Sequence, residues 1–90
     1  MPKTATPWGP ATLVQEVSLP QRAGDKRFAS IVQLLEIGNG EQLLRFAYST
    51  GDSARRGPVT IRVRDLDKLR RSLARQPELA AVLGQMVGEA

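Results

Sequence analysis

Residues 28–49, FASIVQLLEIGNGEQLLRFAYS, decide the fold. The first ten are dense in β-branched and apolar side chains: Ile31, Leu35 and Ile37 fall on one side of an extended chain, Phe28, Val32 and Leu34 on the other. Both faces of that strand are therefore expected to be covered. Gly38-Asn39-Gly40 supplies the positive φ angles that a tight hairpin needs, and the returning strand spans 42–49. In it Leu44, Phe46 and Tyr48 form an apolar face, while Leu43, Arg45, Ala47 and Ser49 form a mixed one.

Upstream, TLVQEVSL at 12–19 alternates, with Leu13, Val17 and Leu19 opposed to Thr12, Glu16 and Ser18, and Pro20 is expected to close it. Residues 21–26, which include Ala23-Gly24-Asp25, read as a turn into the next strand. Downstream, TGDSARRGP at 50–58 has turn chemistry throughout and reads as an exposed loop carrying Arg55 and Arg56. A fourth strand, VTIRV at 59–63, points Val59, Ile61 and Val63 one way and Thr60, Arg62 and Arg64 the other. Asp65 is a suitable N-cap for a helix whose leucines recur at Leu66, Leu69 and Leu73 and which runs to about Gln76. After Pro77 a second stripe, Leu79, Val82, Leu83, Met86 and Val87, continues as a separate helix or as one helix kinked there.

The expected fold is α+β, in the order β-β-β-β-α-α: a four-stranded antiparallel meander followed by a C-terminal helix that is kinked or split at Pro77. Residues 1–11, with prolines at 2, 7 and 10, form an extended N-terminal arm, and residues 12–90 a single domain. Trp8 is expected to clip the arm onto the body. The leucine helix should bury itself on the face built from Leu44, Phe46, Tyr48, Val59, Ile61 and Val63, which makes core packing the expected role of Phe46 and Tyr48. That leaves Arg45, Ser49, Thr60, Arg62 and Arg64 on an open face.

Ninety residues hold one domain with a small core, so self-association is plausible on size alone. The absence of cysteine and histidine removes thiol nucleophiles, imidazole bases and the usual zinc and haem ligands. Asp52, Asp65 and Asp67 have ordinary roles as turn, cap and first-turn residues, so no enzyme, metal, cofactor or small-molecule substrate is expected. No apolar run approaches the ~18 residues of a membrane span, and a chain start without a secretory pattern suggests the cytoplasm.

Charge is unevenly placed. Residues 1–44 are neutral, whereas 45–75 hold nine cations against three carboxylates, a net of +6, and eight of the nine are arginine. Arginine binds phosphate through a planar fork and stacks on bases. A basic sheet face flanked by a basic loop suits single-stranded nucleic acid held without sequence readout, and names Arg45, Arg55, Arg56, Arg62 and Arg64 as its contacts.

The stretch ARRGPVTIRVRDLDKLRRSL at 54–73, with the order of elements around it, resembles the transcriptional coactivator positive-cofactor-four family of small dimeric single-stranded DNA-binding proteins. Arg55, Arg56 and Gly57 match that family's basic loop and glycine, Val59 and Ile61 its alternating apolar pair, and Leu66 and Leu69 its helix start. Pro58 looks like a one-residue insertion, and Leu66 stands where the family usually has tryptophan. The resemblance covers about residues 26–75. It implies a homodimer whose paired sheets form basic channels for unpaired DNA, with Arg55 and Arg56 clamping phosphates.

The leading expectation is thus a single-stranded DNA- or RNA-binding homodimer, an accessory in transcription or repair. The alternative is a protein interaction module docking through the apolar stripe from Leu79 to Val87.

Overall fold

The computed structural model describes residues 3–50, 55–86 and 88, with 55–58 given by their backbone alone. The fold is α+β: five antiparallel strands in one curled sheet, then two helices. Strands β1 (Lys3–Thr6), β2 (Gly9–Ala23), β3 (Lys26–Ile37), β4 (Gln42–Ser49) and β5 (Arg55–Arg62) lie in the sheet in chain order. A 3-10 turn at Val63–Asp65 leads into α1 (Leu66–Leu73), and α2 (Pro77–Met86) follows.

The hairpin at the centre forms where its sequence predicts, with Gly40 and not Gly38 taking a positive φ. Gly40 has φ +88°, a left-handed value that its missing Cβ permits, and its amide donates to the Ile37 carbonyl at 2.9 Å. The Ile37 amide closes the turn onto Glu41 O, and Asn39 Oδ1 accepts from the Glu41 amide, each at 2.9 Å.

The meander has five strands, not four. The expected free arm contains β1, which pairs with the start of β2 from Lys3↔Thr12 to Thr6↔Gly9. Nor does Pro20 end its strand: β2 continues to Ala23, and only Gly24 (φ +63°) and Asp25 turn the chain into β3. A two-residue turn makes Ala23↔Lys26 the closing hydrogen-bonded pair, so odd-numbered backbone groups face β3 and even ones face outward. Pro20 thus stands where its missing N–H takes nothing from the ladder. Beyond Thr12 that outward side of β2 has no neighbouring strand among the described residues.

Strand β5 begins earlier than expected. Arg55 and Arg56, placed by sequence in the 50–58 loop, pair through their backbones with Ser49 and Tyr48. Gly57 and Pro58 together stand against Ala47, a bulge that absorbs the extra residue. The remainder of the expected loop, 51–54, lies outside the described residues.

Register decides which face is inside. Cross-strand partners share a face, so Leu13, Leu35 and Leu43 lie together, as do Ile31 and Ala47, and Gln33 and Arg45. That face, which Ala11 joins through its partner Ile37, supplies every buried side chain among the described residues: Ala11, Ile31, Leu35, Leu43, Gln33 and Arg45. The sheet curls over this face. The core is therefore on the side that strand alternation left open, and none of Leu44, Phe46, Tyr48, Val59, Ile61 and Val63 is buried.

Pro77 splits the helical segment into two helices, occupying the first position of the second. Asp65 does not cap α1 through its side chain, which accepts instead from Arg62. Neither helix buries a residue.

Candidate nucleic-acid interface

The five arginines named from sequence do not form one surface. Arg45 sits inside the curl, 8% exposed. A guanidinium so placed needs partners for its donors, because an unpaired buried charge is costly. Its Nε donates to Gln33 Oε1 at 2.7 Å, and its Nη1 to Thr4 Oγ1 at 3.1 Å and the Ala5 carbonyl at 3.4 Å. Gln33, 3% exposed, passes the chain on, its Nε2 donating to Glu16 Oε1 at 2.6 Å. In a flat sheet β1 and β4 would be about 14 Å apart, so the contact from Arg45 to Thr4 measures the curl.

Arg62 is on the same inner face, opposite Leu43. Its Nε donates to Asp65 Oδ2 at 2.8 Å, and its guanidinium lies over the Trp8 ring, 5.6 Å from the centroid. Trp8 thereby fastens the β1–β2 turn to the end of β5. Arg64 is exposed and pairs with Glu41, Nη1 to Oε2, at 3.2 Å. Arg55 and Arg56 enter the sheet through their backbones beside Ser49 and Tyr48. The structure thus brings Arg45 and Arg62 together, separates Arg64 from them, and sets the Arg55-Arg56 strand against the aromatic end of β4.

The outer face carries what the sequence reading missed. Phe28, Ser30, Val32, Phe46, Tyr48 and Val59 line an open groove of about 560 Å³. Phe28 and Tyr48 meet edge to face, centroids 6.4 Å apart at 81°. Tyr48 is 41% and Val59 56% exposed, so the helices leave this end of the sheet accessible. The signal was in the strands: Phe28 and Val32 on one, Phe46 and Tyr48 on the next, all at even positions. Assigning Phe46 and Tyr48 to the helix concealed it.

On α1, Asp67 accepts from Arg70 Nη2 at 2.5 Å and from Arg71 Nη2 at 3.1 Å. The hydrogen bond and charge of Arg70, with help from Arg71, hold the Asp67 carboxyl below its ordinary pKa. On α2, Leu79, Val82 and Met86 are exposed at 51%, 60% and 61%. They sit at i, i+3 and i+7, one stripe facing outward.

Among the described residues no group of three or more carboxylates is placed to hold a metal ion. No helix among them is long and apolar enough to cross a membrane. Comparison with family models, curated proteins and solved structures returns no match for this chain. The site alone carries the reading.

Proposed function

We propose that this chain binds single-stranded nucleic acid, DNA foremost, as an accessory in transcription or repair, and does so on the outer face of its sheet. The observation that carries the reading is the open groove lined by Phe28, Phe46 and Tyr48, with the Arg55-Arg56 stretch of β5 paired to the strand that bears Tyr48. Exposed aromatic faces accept bases of any identity, and adjacent arginines take the phosphates, which is how unpaired strands are held without sequence readout. The residues from 54 to 73 resemble the positive-cofactor-four family and favour the same ligand. Arg55 and Arg56 are the phosphate contacts in this reading, Arg64 a peripheral one, and Arg45 and Arg62 hold the inner face.

Fluorescence anisotropy of a labelled mixed-sequence single strand, titrated across a salt series, tests it. Tyr48→Ala should weaken binding by about 1–3 kcal/mol for every sequence alike. Arg55→Ala with Arg56→Ala should flatten the slope of log K against log salt by about 1.4. Binding that ignores salt, or its absence at low salt, discards the proposal.

A second reading is favoured by the outward stripe of Leu79, Val82 and Met86 on α2: the helix docks a protein partner, a second copy of the chain first of all. It is compatible with the first, since a dimer would place two grooves on one particle.

A further inference from the structure

We propose that the N-terminal hairpin is a displaceable strap: β1 lifts away without unfolding the sheet and uncovers the guanidinium groups of Arg45 and Arg62 for a phosphodiester backbone. Strand β1 is four residues long, is an edge, has β2 as its neighbour in the sheet and contains no buried residue. Short edge strands of this kind occupy the low end of the range of local opening energies.

Contacts with Arg45 and Arg62 fasten it across the inner face at its middle and at its tip. At its middle, Thr4 Oγ1 and the Ala5 carbonyl accept from Arg45 Nη1 at 3.1 and 3.4 Å, and at its tip the Trp8 ring covers Arg62 at 5.6 Å. A phosphate oxygen can replace either acceptor, and an unpaired base can replace the indole over the guanidinium. By register, Arg45 lies opposite Thr60 and Arg62 opposite Leu43, so the two arginines are diagonal neighbours on adjacent strands of one face.

Both would stay aimed once the strap is gone. Arg45 keeps its Nε bond to Gln33 at 2.7 Å and Arg62 its Nε bond to Asp65 at 2.8 Å, contacts that do not involve β1. The ligand rests on the nucleic-acid reading above, whereas the opening does not.

Hydrogen exchange of the full chain tests the opening. The β1 amides should exchange faster than those around Leu35 and Leu43, and Trp8→Ala should speed β1 alone by about two- to fivefold, the size of a half-exposed cation–π contact. Equal protection in all five strands, or no effect of Trp8→Ala on β1, overturns the strap. Anisotropy with a mixed-sequence single-stranded DNA tests the ligand. Trp8→Ala should tighten binding by about the same factor, and adding Arg62→Ala should remove the gain. Wild-type binding that Trp8→Ala does not tighten overturns the uncovered phosphate site and leaves the outer-face reading standing. If the strap opens and neither protein binds DNA, both fall.

Discussion

Gln33 is bonded to Arg45 through its carbonyl and to Glu16 through its amide, so one side chain joins two opposite charges across three strands. An apolar group in place of that amide takes a charge-assisted hydrogen bond from each charged partner. Gln33→Leu should therefore cost about 2–3 kcal/mol, although leucine suits a strand interior better than glutamine does. Urea denaturation should show a lower midpoint at unchanged slope; an equal or higher midpoint would show that the relay contributes nothing.

Leu35 and Leu43 face each other across β3 and β4 and are fully buried. Ala11, Leu13 and Ile37 complete the cluster. Leu35→Ala should cost about 2–5 kcal/mol by lost transfer energy and cavity formation. A domain of this size has on the order of 5–10 kcal/mol in total, so the variant should melt about 10–40 °C below the wild type, as circular dichroism would record. Val17→Ala, at a residue 66% exposed, should change the melt by little.

Asp67 supplies the pH dependence of α1. Its folded pKa lies below the unfolded value of about 3.9, so its contribution is present in full above that value and is lost as pH falls through the lower folded one. Helical signal should fall on acidification below about pH 4, and Asp67→Asn should remove that part of the transition. An unchanged acid limb in the variant would assign it to other carboxylates.

The α2 stripe makes a prediction about mass. If Val82 meets a second copy, light scattering of the wild-type chain gives twice the monomer mass, and Val82→Asp returns the monomer with its secondary structure intact. A monomeric wild type would leave the stripe to another protein.

Much of the sheet was readable because alternation and turn chemistry are local. Residues 28–49 fix β3, β4 and their turn with no help from the rest of the chain. Pro20 and the arm misled for a related reason. Proline is barred from a ladder only where its nitrogen faces a neighbour, and which strands have neighbours is settled by the whole sheet. The inner face was misassigned because alternation separates two faces without saying which one the curl encloses. Alternation put Arg45 outside, opposite the apolar face, yet Gln33, Thr4 and the Ala5 carbonyl are close enough to satisfy it within. Those partners lie 12, 41 and 40 positions away in sequence, beyond any local pattern.

Pro20 also bears on how the molecule behaves in a crowd. The long hairpin of β2 and β3 presents Val17 and Leu19 beside a row of outward-facing backbone groups, the kind of rail along which identical chains zip together into fibrils. A ring nitrogen in the middle of that rail interrupts the zipper without weakening the native hairpin. Solubility at high concentration thus depends on a residue whose ring nitrogen takes no part in the native ladder.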